Sequence, residues 1–265
     1  MGCLRSRTGR YSRLARVAAR LGQLTETLSE RQEWRGRLAQ LYAERLSRKD
    51  EAVQLYLGLL GEGAANAAVV GGLERLASAG VRQAEISRAL APHYAKSGDY
   101  QRQVASLLVQ LTSAQEMDQK KELLSLLAQT HERHLADLRA AFEFRVRGLQ
   151  VDPADADFLA ESVRLARELS SHTELSRVLS DLAQKSADAA LSSALLVEAA
   201  TLAEEGGSVD DAASALKLAL DKAPDDTEVM AQLIQLYFKT GRFADCDGVL
   251  RRRILLSEGD EKANL

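Results

Sequence analysis

The sequence predicts an all-α fold in which helical hairpins stack one on the next. Three observations predict it. Apolar residues recur at helical spacing, while two-residue alternation is hard to find. Ala and Leu dominate an apolar content of 46%, β-branched residues are few, and only three prolines interrupt the chain, a composition that favours helix. The helical pattern also repeats with a period of about 34 residues, the length of one helix-turn-helix unit.

The clearest unit is 193–226. Leu196, Ala199, Ala200 and Ala203 form one helical stripe, Gly206-Gly207 a turn, and Ala212, Leu216, Ala219 and Leu220 a second stripe closed by Pro224. Each half is too short to hold alone in water, and neither buries its apolar face unaided. Stacked on copies of itself, the hairpin buries both. The next 34 or so residues keep the register. Leu233, Ile234 and Tyr237 replace Ala199, Ala200 and Ala203, while Gly241, Phe243, Cys246 and Leu250 replace Gly207, Val209, Ala212 and Leu216.

These residues resemble the tetratricopeptide repeat (TPR) family, which places Gly-Asp-Tyr at the turn, small residues on the second helix and Pro at the exit. Gly98-Asp99-Tyr100 matches that turn best. The resemblance implies a right-handed α-solenoid of roughly seven hairpins, with wording similar to long bacterial TPR arrays. It divides the chain into a partial N-terminal repeat or cap (1–31), irregular repeats (32–117) and regular repeats (118–265).

In chain order, residues 1–20 contain six arginines and no carboxylate. Gly9-Arg10-Tyr11 matches the turn Gly241-Arg242-Phe243, with Leu14, Ala18 and Leu21 following at second-helix spacing, so the chain is expected to begin inside a repeat. Met1 to Ser6 also fits the N-myristoylation pattern, with Cys3 open to palmitoylation; the truncated repeat helix is the preferred reading. Trp34 is expected to pack on the preceding helix. Leu38, Ala39 and Tyr42 form one stripe; Tyr56, Leu59 and Leu60 form the next, with Asp50 as its expected N-cap. Gly71-Gly72 weakens the helix over 66–79 but permits close approach of a neighbour. At Pro92 either one helix kinks or a second one starts. Val104, Leu107, Leu108 and Leu111 then face inward. Residues 118–134 and 138–149 form the next hairpin, with Leu123, Leu124, Leu127, Ala128 and His131 inward against Ala141 and Phe142, and Pro153 at the exit. Pro153 and Pro224 lie about two periods apart. The unit 156–187 between them has Ser170-Ser171-His172 at its turn instead of glycine, with Thr173 as the expected cap.

No catalytic or cofactor constellation emerges. His131-Glu132-Arg133-His134 is one residue short of the zinc motif and has no third ligand; no metal is expected. His93 and His172 fall in expected turn regions. No Gly-rich phosphate loop, nucleophile elbow or cysteine pair is present, so an enzyme is not expected. Cys246 reads as a small buried hydrophobe. Arg251, Arg252 and Arg253 fan around a helix and cannot share one face.

A net charge of −3 argues against general nucleic-acid or membrane-surface binding, and no apolar run reaches a membrane span. No leader is evident, so the chain is expected in the cytoplasm. The resemblance implies a concave groove lined by first helices, whose exposed positions hold partner peptides. Transferred residue by residue, these are Ser125, Gln129, Ala160, Arg164 and Arg167, then Val197, Thr201, Glu228, Ala231 and Gln235. Family members that clamp a chaperone's C-terminal carboxylate use Lys and Asn there; Val197, Thr201 and Glu228 depart from that pattern.

The resulting expectation is a protein–protein interaction scaffold that docks a peptide or helix of another protein. The alternative is an architectural spacer in a larger protein. A helical-repeat RNA binder is a third reading, disfavoured because a basic groove with stacking aromatics is missing. Apolar solenoid ends add an expectation of self-association through a terminus.

Overall fold

A computed structural model describes the backbone of residues 2–263 and the side chains of 9–256. Among the described residues there are fourteen α-helices and no strand. Each helix packs chiefly on its neighbours in the chain. The fold is therefore the expected α-solenoid of stacked antiparallel hairpins, divided into two compact units at Glu116/Met117.

Unit 1 contains α1 (Gly2–Leu24), α2 (Leu28–Glu44), α3 (Lys49–Gly61), α4 (Ala67–Ser78), α5 (Gln83–Ser97) and α6 (Tyr100–Ser113). Its core gathers Ala39, Val53, Tyr56, Leu59, Leu73, Ile86, Leu90 and Tyr94. Gly72 explains how α3 and α4 come so close: a Cβ there would lie 2.5 Å from Tyr56 Cζ. The neighbouring Gly71 would meet only Arg75 Nη1, at 3.7 Å. Trp34 packs with Ala15 and Ala18 across the α1–α2 contact, with the Arg37 guanidinium 4.8 Å from its ring centroid.

Several local expectations in unit 1 change. Gly9-Arg10-Tyr11 is no turn but lies inside α1, where Gly9 lacks the left-handed φ that a turn of this kind uses. Leu108 is exposed rather than inward. Asp50 sits in the first turn of α3, not at its cap, because Ser47 takes the left-handed conformation (φ 54°) and the helix starts at Lys49 after Arg48. Pro92 lies within the single helix α5, and His93 is helical too. Both Pro92 and Arg88, whose carbonyl loses its usual donor, face solvent, so water can serve that oxygen and the helix continues. The lipidation motif at 1–6 involves side chains outside the described set.

Unit 2 contains α7 (Met117–His134), α8 (Leu138–Val151), α9 (Ala156–Glu168), α10 (His172–Lys185), α11 (Ala189–Glu205), α12 (Val209–Lys222), α13 (Thr227–Lys239) and α14 (Phe243–Ala263). Within its four hairpins the turns use one left-handed residue each: Ala136, Ser170, Gly207 and Gly241. Aspartates cap three of the first helices. Asp155, Asp188 and Asp226 each accept from two backbone N–H groups at the starts of α9, α11 and α13, answering donors the helix leaves orphaned. Thr173 is not a cap; α10 already begins at His172, after Ser171.

Small residues set the interhelix spacing. Gly148 of α8 approaches Phe158 of α9 so closely that a Cβ would fall 2.2 Å from the ring. Between α10 and α11, buried serines bond in opposite directions. Ser176 Oγ donates to Ala199 O at 2.7 Å, and Ser192 Oγ donates to Ala183 O at 2.8 Å. Cys246 is buried, as its register requires.

Candidate functional site

The first helices of unit 2 bring part of the anticipated groove together. Ser125 and Gln129 on α7 and Ala160 and Arg164 on α9 line one polar cleft of about 460 Å³, with Arg145 of α8 also in its lining. Gln129 Nε2 donates to Ser125 Oγ at 3.3 Å, and Arg145 Nη1 donates to the same oxygen at 3.3 Å. Arg145 is 7% exposed. Its Nε–H is buried without an acceptor, and its guanidinium carbon lies 5.7 Å from the Phe158 ring centroid. Burial pushes its pKa down; Glu161, Glu132 and Asp157 oppose this through space, without pairing with it.

Glu132 and Glu161 are otherwise engaged. Arg164 Nη2 donates to Glu132 at 2.5 Å, Nε to Glu161 at 3.0 Å and Nη1 to Glu168 at 3.3 Å. Hydrogen bonds to Glu161 and Glu132 raise its pKa. Arg167 Nε and Nη2 donate to both oxygens of Glu205, at 2.9 and 2.8 Å, and this lowers the glutamate's pKa. Lys239 Nζ donates to Glu204 at 2.6 Å. Each successive pair of first helices is thus tied by an ion pair: α7 to α9, α9 to α11, and α11 to α13. Arg139–Glu174 ties α8 to α10 in the same way, and Arg242, in the turn before α14, pairs with Asp210 of α12.

The remaining expected groove positions lie farther along. Thr201, Glu228 and Gln235 are exposed, and Val197 and Ala231 are half-buried; Thr201 Oγ1 donates to Val197 O within its own helix. His131 stacks near Phe144, with ring centroids 5.4 Å apart. Among the described residues no three metal-ligating side chains converge, and no helix is long and apolar enough to cross a membrane.

Arg145 lies on a second helix, outside the groove positions that the resemblance implies, which fall on first helices. A signal was present. Two periods on from Arg145, the register places Leu216, and after it Leu250, so a cation occupies a column that is otherwise aliphatic.

A family model described as tetratricopeptide repeat matches residues 202–261. Residues 202–261 carry the tetratricopeptide repeat pattern. In that matched stretch α12, α13 and α14 supply the small residues, the Gly241 turn and the Pro224 exit. No curated protein matches the chain. Among solved structures, MamA residues 41 to the end from Desulfovibrio magneticus RS-1 is similar at 16% identity. It covers 66% of this chain and 96% of its own, with a TM-score of 0.33. BtubC from P. vanneervenii aligns at 17% identity over 82% of this chain and 92% of its own, TM-score 0.36. The TPR2AB domain of yeast Sti1, solved as a complex with pHSP90, aligns at 10% over 82% and 94%, TM-score 0.32.

Proposed function

We propose that the chain is a protein–protein interaction scaffold, and that a segment of a partner protein docks across the first helices of unit 2. The single observation behind this reading is Arg145. A buried guanidinium with an unanswered Nε–H and no carboxylate paired to it is costly, and it lines a cleft open to a ligand. A partner carboxylate entering the cleft would relieve that cost. Ser125, Gln129, Ala160 and Arg164 would frame the segment, and Arg167, Val197, Thr201, Glu228, Ala231 and Gln235 would extend its track.

Selection of a random peptide library on the intact chain tests this. Recovered peptides should share an Asp or Glu at one position, and Arg145→Met should abolish their binding while the fold stays helical by circular dichroism. Peptides without an acidic position, or undiminished binding to Arg145→Met, would refute the reading.

The ion-pair ladder favours a second reading, an architectural spacer. Arg164 and Arg167 each commit donors to a glutamate of a neighbouring repeat, Glu132 and Glu205. If substituting both leaves peptide binding intact but lowers thermal stability, they serve the scaffold alone.

A further inference from the structure

The outer face of α1 plays no part in the cleft of unit 2. At 100° per residue, Ala15 and Ala18 point to α2, where both are 4% exposed. Beside them runs a separate apolar line: Leu14, Val17, Leu21 and Leu24, spaced three, four and three residues apart. Leu21 is half-buried, whereas Leu14, Val17 and Leu24 are 47%, 54% and 65% exposed. The line subtends only about 80° on the helix. This is the narrow seam of a helix–helix contact rather than the broad face of a helix lying on a bilayer.

The flank of the seam is uniformly cationic. Arg13 and Arg20 occupy the positions that border it, one turn-pair apart, with Arg16 behind them and Arg10 at its N-terminal end. All four are exposed, and no carboxylate occurs in the sequence before Glu26. A second copy of α1 laid on this seam would set Arg13 and Arg20 against their own kind, and like charges at flanking positions oppose pairing.

We infer that the outer face of α1 is a docking seam for an amphipathic helix of another protein, one whose apolar stripe is bordered by Glu or Asp. Leu14, Val17, Leu21 and Leu24 supply the apolar contact. Arg13 and Arg20 select the charge of the partner and exclude self-pairing.

Two synthetic helical peptides with the same three-four Leu stripe test the seam on the full chain, one flanked by Glu and one by Lys, read by fluorescence anisotropy. The Glu peptide should bind at least about tenfold more tightly than the Lys peptide. The double charge reversal Arg13→Glu/Arg20→Glu should invert that order. Val17→Asp/Leu24→Asp should weaken the Glu peptide by about tenfold or more with an unchanged melting midpoint. Equal binding of the two peptides, or no binding of either, overturns the proposal. So does sedimentation with phosphatidylserine vesicles in the absence of peptide binding, which would make the face a lipid contact.

Discussion

Units 1 and 2 meet the same packing problem with different local chemistry. In unit 2 each hairpin turns on one left-handed residue, and aspartates cap three of its first helices. In unit 1 the capping residues vary: Thr27, Asn66 and Asp99 accept N–H bonds, while Arg48 and Arg82 make no side-chain cap; in unit 2 the starts without a side-chain cap, at Ser171 and Ser208, fall on second helices. Both units nevertheless use one device where helices approach most closely, a glycine facing an aromatic ring: Gly72 against Tyr56, and Gly148 against Phe158. Close approach is therefore a demand of the stack itself. Capping and turn chemistry are interchangeable ways of starting the next helix.

The largest effects should come from those glycines. Gly148→Ala gains about 1 kcal/mol of helix propensity, but Phe158 is buried and cannot yield, and overpacking costs roughly 1–3 kcal/mol. Loss of stability is expected for Gly148→Ala and for Gly72→Ala, in the unit that holds each. Gly71→Ala, one residue away with room for its methyl, should instead stabilise by up to about 1 kcal/mol. Hydrogen exchange resolved by segment would assign each change to its unit, and equal outcomes at 71 and 72 would break the comparison.

Asp155 comes next. It caps α9 at 3.1 Å to both Asp157 N and Phe158 N and pairs with Lys121. Burial alone would raise its pKa, but the Lys121 and Phe158 bonds outweigh burial and hold it low. A carboxyl lowered by folding stabilises fully above its unfolded value of about 4 and loses that contribution as pH falls through the folded value. Unit 2 should therefore weaken on acidification below about pH 4, and Asp155→Ala, at neutral pH, should cost about 1–2 kcal/mol. An acid melting profile unchanged by Asp155→Asn would remove this group from the account.

The turn residues predict smaller gains. Ala136 and Ser170 hold φ of 52° and 55° where the equivalent turns have Gly207 and Gly241. Left-handed strain of about 1–2 kcal/mol at a residue bearing a Cβ exceeds the unfolded-state entropy that glycine adds, about 0.4–1 kcal/mol. Ala136→Gly and Ser170→Gly should each raise stability modestly in urea titrations, and Gly207→Ala should lower it. Smallest of all is Tyr237→Phe. The Tyr237 hydroxyl is buried without a partner, so its removal should leave stability unchanged or raise it by up to about 1 kcal/mol.

Legibility followed the register. Leu196, Ala199, Leu233, Ile234 and Tyr237 are all buried where the repeat placed them, because a stacked hairpin leaves its inner stripe no alternative. Gly9 misled because a glycine is a strong local turn signal that the helix overrode, in a place where an added Cβ would meet nothing within 4 Å. At Pro92 the sequence left one helix or two open, and the chain forms one, with the proline facing water. Arg145 was not legible as a groove residue because it lies buried on a second helix, where a cation announces itself only as a break in an aliphatic column. Arg164 and Arg167 were legible as charged positions, but their commitments to Glu132 and Glu205 cross a whole repeat and cannot be seen from local pattern.

The opposed serines between α10 and α11 have a mechanical consequence. One hydroxyl reaches forward to Ala199 and the other back to Ala183, so any axial slide of one rod along the other breaks both. Under tension that joint behaves as a rivet. Within unit 2, that junction should yield later under load than one held by apolar contact alone.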